Sequence, residues 1–213
     1  VLCGDNKRCY PELRLTSFNG SFSSVSGNNI ESRLASALTF LAAHDSGRWS
    51  GYLDATSQQP LWGRVRLAGH SQGAGHAVLI GYYRRLARVV QFSGVCDRSG
   101  WPRRLGPPVT PGDRFFGFAS EWDTLLCPLS TTQLPAWRAE GALSPDMVPL
   151  RIGVGSKITA ATFGSSQTVV SDLLPPGCNT AFSLPCDLKA HASTAENWPT
   201  ASPYASGLWQ SLC

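Results

Sequence analysis

The pentapeptide Gly69-His70-Ser71-Gln72-Gly73 stands between an apolar, β-branched run, Arg64-Val65-Arg66-Leu67-Ala68, and an alanine-rich stretch that predicts a helix over 74–87. A strand that passes into a helix within so few residues must turn sharply and hold the central residue in a strained backbone conformation. Glycine on either side leaves room for strand and helix to pass closely. The flanks carry more weight than the five-residue pattern, which arises often by chance. In this setting the Ser71 hydroxyl stands clear of the sheet, and the free N–H groups and positive dipole end of the following helix face any negative charge that develops beside it. Ser71 is the candidate nucleophile and the Gln72 N–H the predicted oxyanion donor.

With 213 residues, 42% of them hydrophobic, the chain is long enough for one substantial core and short for two, so 1–213 reads as a single domain. The net charge of +4 is scattered apart from small groups such as Arg84, Arg85 and Arg88, which is too mild for a nucleic-acid binder. No apolar run approaches the roughly 20 residues that cross a bilayer, and no basic start precedes an apolar signal core. A membrane span is therefore not expected, and an exported chain would already be processed. Seven cysteines without a Cys-x-x-Cys pair argue against a zinc site and for disulfides, hence for a secreted or periplasmic protein. The expected pairs are Cys3–Cys9, Cys96–Cys127 and Cys178–Cys186. Cys213 is then left free or joined to a partner outside the chain.

A polar, Gly/Ser-rich opening is followed by a helix capped by Asn28 or Asn29, with Ile30, Leu34, Ala37, Leu38 and Leu41 on one face and an end near Ala43. Residues 44–61 read as a loop. Strands are expected at 89–93, 114–119 and 149–154, a Pro/Gly loop at 98–113, a helix over 131–142 with Pro135 near its first turn, and an irregular tail from 175 with a last short helix over 204–212. Alternating strands and helices predict an α/β fold with a mainly parallel sheet.

A serine hydroxyl is a weak nucleophile at neutral pH and needs a base, and the base needs an acid to fix its tautomer. His70 precedes the serine and shapes the pocket, His76 lies on the helix after the turn, and His44 precedes the sheet. His191, in the late polar run Lys189-Ala190-His191-Ala192-Ser193-Thr194, is the expected base. The acid should follow a strand at the carboxyl edge of the sheet. Asp123, in Ser120-Glu121-Trp122-Asp123, meets this and Asp97 competes; Glu121 supports the loop, and Trp122 is the candidate pocket wall.

The helix start Ile30-Glu31-Ser32-Arg33-Leu34, the run 62–77 around Gly-His-Ser-Gln-Gly, the segments 115–125 and 133–138, the loop His191-Ala192-Ser193-Thr194 and the ending Leu208-Trp209-Gln210-Ser211-Leu212-Cys213 together resemble the α/β-hydrolase superfamily, more narrowly a bacterial branch of secreted serine hydrolases. The Gly-x-Ser-Gln-Gly form also resembles cutinases. The resemblance spans most of the chain and implies Ser71 as nucleophile, Asp123 as acid and His191 as base. It departs before the turn, where an α/β-hydrolase carries several strands and a Gly-rich loop with a second oxyanion donor. The expectation is either a fragment or compact variant lacking the N-terminal strands, or a chain in which a loop such as Phe18-Asn19-Gly20-Ser21 substitutes for that loop.

The expected activity is hydrolysis of carboxylic esters, small or polymeric, through an acyl-enzyme and without a metal or organic cofactor. A second expectation is a non-catalytic or incomplete domain that binds a partner through an open sheet edge. A peptidase is less favoured, because nothing in the chain resembles a peptide-binding subsite.

Overall fold

Short runs that are hydrophobic at every position suit strands covered on both faces, and such strands pair in parallel. A computed structural model describes residues 9–21, 28–45, 47–97, 100–153, 166–179 and 183–195. Five strands, β1 (Arg66–His70), β2 (Arg88–Phe92), β3 (Phe115–Ser120), β4 (Leu150–Ile152) and β5 (Thr168–Ser171), form one sheet in the order β1-β2-β3-β5-β4 with every pairing parallel. Helices flank it, and the protein has an α/β fold. Among the described residues β1 is an edge strand.

Side chains alternate across the sheet with period two. Val89, Phe115, Ala119 and Val170 point to one face and pack with Ala77, Val78 and Ile80 of α3 (Gln72–Tyr83) and Trp137 of α4 (Leu134–Glu140). Val90, Phe92, Phe118 and Val169 point to the other and pack with Ile152. The close fit of α3 needs small residues: a Cβ on Gly81 would press on the Phe115 ring and Val89.

The helix α2 (Ile30–His44) forms as its spacing predicts, with the Asn29 side chain and Ser32 making a reciprocal cap. Other boundaries moved. The strand before Ser71 starts at Arg66 and runs through Gly69 and His70, because its partner β2 supplies the ladder as far as Phe92. The helix after it stops at Tyr83, short of 87, where Thr110 reaches in: its N–H bonds Gly81 O (3.0 Å), its hydroxyl bonds Arg84 O (2.6 Å), and Leu86 N–H bonds the same hydroxyl (2.9 Å). The helix predicted over 131–142 opens as a π-turn, Leu129–Gln133, continues as α4, and ends at Gly141 in the left-handed conformation (φ 79°). Two helices and a strand lie where no such element was predicted: α1 (Cys9–Asn19) in the polar opening, β5 in a stretch left unassigned, and α5 (Leu184–Ser193) in the tail expected to be irregular.

Cys96–Cys127 and Cys178–Cys186 are disulfides, as expected. The pairing of Cys3 with Cys9, the state of Cys213 and the helix over 204–212 lie outside the described residues. Among those described, no helix is long and apolar enough to cross a membrane.

One carboxyl group is buried in the core. Glu140, on α4, accepts a hydrogen bond from the Gln91 amide of β2, and its other oxygen has no partner among the described residues. Burial pushes its pKa up to about 8, against the lowering effect of Gln91. The native state thus holds a proton that the unfolded chain releases near pH 4.5, so this group's contribution to stability declines as pH rises from about 4.5 to about 8. Denaturant midpoints measured from pH 5 to 8 should fall less steeply for Glu140→Gln than for the unaltered protein; parallel curves would mean that Glu140 does not bind this proton.

Candidate functional site

Each parallel strand ends at the same edge of the sheet, and the ladder extends past the strand ends: Ser71 N–H bonds Phe92 O (3.0 Å), Ser93 N–H bonds Phe118 O (2.9 Å), and Glu121 N–H bonds Ser171 O (2.8 Å). The loops that carry Ser71, Ser93 and Asp123 are thereby gathered at one rim. Ser71 sits at φ 55° and ψ −116°, a region that non-glycine residues rarely adopt. The turn needs Gly69, since a Cβ there would fall on the Gly73 carbonyl and the Ala74 nitrogen where α3 starts back along the strand. Gly73 is different: a Cβ on it would meet open space, so only the first of the two flanking glycines is sterically required. The Gln72 N–H opens α3 and, among the described residues, has no acceptor.

Opposite this turn, His191 Nδ1 donates to Asp123 Oδ2 at 2.6 Å. Both residues are buried. The other Asp123 oxygen accepts from Cys127 N–H at 2.9 Å, so the carboxylate is held by two donors in a dry site. With Nδ1 donating to Asp123, His191 presents Nε2 as its acceptor. His191 belongs to α5, not to a loop. Asp187, one helical turn earlier on the same face, accepts from the backbone N–H groups of Thr124 (2.6 Å), Leu125 (2.9 Å) and Leu126 (3.0 Å) and from the Thr124 hydroxyl (3.0 Å). One helix face therefore carries both His191 and the carboxylate that ties down the loop of Asp123. The His191 carbonyl is fixed too, accepting from His70 Nε2 (2.9 Å) and from the hydroxyls of Ser93 (2.9 Å) and Thr194 (3.3 Å).

Asp97 is committed elsewhere. The Arg14 guanidinium donates to both of its oxygens (2.8–3.0 Å) from α1, and Trp101 Nε1 donates to Oδ2. Arg14 also donates to Gln72 O (2.7 Å) and to His76 Nδ1 (2.9 Å), which fixes the first turn of α3 from below. Gly75 makes the space: a Cβ there would fall on the guanidinium. Burial, reinforced by the Arg14 charge, pushes the His76 pKa down against the opposing Gln72 carbonyl and Asp97, so His76 favours the neutral form that Arg14 needs.

His70, expected as a substrate-binding residue, braces His191, its ring tilted on that of His191 with centroids 4.9 Å apart. Trp122, expected as a pocket wall, donates its indole N–H to Asp172 O (2.6 Å) above the β3–β5 end and does not line the cleft beside Ser71. That cleft, about 540 Å³, lies between α1 and the turn. Phe18-Asn19-Gly20-Ser21 is no oxyanion loop. It closes α1 at the far end of the sheet, where Phe18 packs on Trp62 (5.7 Å), and the Gly20 and Ser21 N–H groups are bonded to Thr16 O and Asn19 Oδ1. The Ser71 hydroxyl makes no hydrogen bond among the described residues, and the connection from its turn to His191 runs through His70. His44 stacks on Phe40 in the last turn of α2, and Glu121 pairs with Arg151. Among the described residues, no group of three or more His, Cys, Asp or Glu side chains is gathered as metal ligands.

Sequence reading did not find Arg14 or Asp187. The available signals were slight: a glycine within the helix at Gly75, and an acid four residues before His191. Comparison with known protein families and with curated proteins finds no match for this chain.

Removing the Asp97 charge leaves the buried Arg14 guanidinium uncompensated, which costs about 3 kcal/mol or more. Asp97→Asn should lower the denaturant midpoint accordingly, and Gly75→Ala should do so by displacing Arg14; unchanged midpoints in both would rule out a stabilising clamp.

Proposed function

We propose that the protein is a serine hydrolase of the α/β-hydrolase type that cleaves carboxylic esters with Ser71, His191 and Asp123. The observation that carries this reading is the presence, on one sheet edge, of a serine in a strained strand-to-helix turn (φ 55°, ψ −116°) and a buried histidine bonded at 2.6 Å to a carboxylate. Strain at a non-glycine residue persists only where the surrounding structure over-determines it, and such residues cluster at reactive sites.

In this mechanism His191 Nε2 takes the Ser71 proton as Oγ attacks the ester carbonyl carbon. Asp123 remains ionised, holds the Nδ1–H tautomer and stabilises the imidazolium. The carbonyl oxygen becomes an oxyanion and accepts from the Gln72 N–H at the positive end of α3. Collapse of the tetrahedral intermediate expels the alcohol, which takes the proton from His191. Water then attacks the acyl-serine, again with His191 as base, and releases the acid. The chemistry uses protein groups alone. Two disulfides favour an oxidising setting, secreted or periplasmic, for this activity.

A second reading, a binding module that adds a partner strand to the sheet, draws on the edge position of β1. An active-site-directed fluorophosphonate separates the two, because only an assembled nucleophile is labelled. On p-nitrophenyl butyrate, Ser71→Ala and His191→Ala should each lower kcat by roughly 10³-fold or more, and the double variant should be little worse than either. Asp123→Asn should lower kcat by on the order of 10²-fold or more through the wrong histidine tautomer. A folded Ser71→Ala protein that keeps its activity and its labelling would refute the assignment.

A further inference from the structure

The cleft beside Ser71 has one wall made by α1. Tyr10, Leu13, Arg14 and Ser17 line it at the spacing of a single helix face, with Ser71 and Gln72 opposite. Its volume, about 540 Å³, falls within the range of small-molecule sites, roughly 300–1,000 Å³. A larger hollow of about 800 Å³ is lined by Leu34, Trp49 and Arg66 at the amino end of β1, remote from the turn.

The charge in the cleft is closed off. Every nitrogen of the Arg14 guanidinium donates within the protein, to Asp97, Gln72 O or His76, and the Asp97 carboxylate is consumed by Arg14 and Trp101. The Ser17 hydroxyl donates to Leu13 O (3.0 Å). What faces the opening is the side chain of Leu13, which is exposed, and the partly exposed Tyr10. Among the described residues, this wall offers apolar contact and no unpaired charge.

The cleft also has a side. In ester cleavage the base delivers its proton to the departing alcohol, so the alcohol lies toward the histidine and the acyl group lies away from it. Gln72 lines the cleft and His191 does not. From this arrangement, and resting on the reading of Ser71 as nucleophile, we propose that the α1 cleft is the acyl-binding subsite and that it selects uncharged acyl chains of medium length, with Leu13 and Ser17 setting how much chain it accepts.

Each methylene that enters such a site should raise kcat/KM by up to about fourfold until the cleft is full. The test measures kcat/KM on p-nitrophenyl acetate, butyrate, hexanoate and octanoate, and on the p-nitrophenyl hemiester of succinate, for the unaltered protein, Leu13→Trp, Ser17→Trp and Ser71→Ala, each checked for folding by circular dichroism. The unaltered protein should prefer hexanoate or octanoate to acetate and disfavour the succinate hemiester relative to butyrate by tenfold or more. Leu13→Trp and Ser17→Trp, at exposed positions one helical turn apart, should each lower the octanoate-to-acetate ratio by at least fivefold. A smaller drop in both variants, or a preference for the charged hemiester, overturns the subsite while leaving the nucleophile reading intact provided Ser71→Ala is inactive. An active Ser71→Ala protein overturns the nucleophile reading and the subsite with it.

Discussion

The buried Asp123 carboxylate organises the rim of this protein at the carboxyl ends of its strands. An ionised carboxylate removed from water is costly unless donors replace its hydration. Here those donors come from two directions: His191 Nδ1 on α5 and the Cys127 N–H in its own loop. Satisfying Asp123 therefore requires α5 to dock against the loop that follows β3, and Asp187 completes the docking with three backbone N–H groups of that loop. The disulfide from Cys127 to Cys96 ties the same loop to the segment after β2. His70 and Ser93, at the end of β1 and just past β2, hold the His191 carbonyl. The orientation of one imidazole is thus set by groups from four separate stretches of chain.

A second buried pair, Arg14 with Asp97, works in parallel and explains why two similar aspartates have different roles. Both follow strands and both lie at the same edge of the sheet. Asp97 faces α1, whose guanidinium presents a planar fork suited to a carboxylate, and Asp123 faces α5, whose histidine presents a single N–H. The guanidinium also reaches the Gln72 carbonyl, so the same cation that neutralises Asp97 steadies the peptide next to Ser71. The absence of a side chain at Gly75 is what lets Arg14 lie there.

Several elements were legible because their physics is local. Apolar spacing and an Asn cap specify α2; short runs rich in Val and Phe specify β2 and β3; the strand-to-helix turn at Ser71 is written in five residues. The elements that escaped share a different property, a buried face that is polar or too short to show a period. The inward residues of α5 include Asp187, His191 and Ser193, and α1 buries Arg14 beside Phe18. Four buried residues, Thr-Val-Val-Ser, make β5, which is below the length at which alternation can be seen. The candidate roles followed the same division. The turn that holds Ser71 and Gln72 was readable from local context, whereas the hydrogen bond of Trp122 to Asp172 O and the packing of Phe18 on Trp62 depend on distant partners.

The sequence by itself determined the fold class, the sharp turn that strains Ser71, and two of the cysteine pairs, because these depend on hydrophobic period, on glycine at a point of close approach and on cysteines that flank defined loops. The sequence favoured Asp123 over Asp97 as the partner of His191, but tertiary structure alone decided what Asp97 bonds instead, which arginine braces the turn, and which wall bounds the cleft beside Ser71. Those outcomes rest on contacts between residues 68 and 83 positions apart, His191 with Asp123 and Arg14 with Asp97, and no local pattern records which buried charge will meet which partner once the sheet has drawn their loops to one edge.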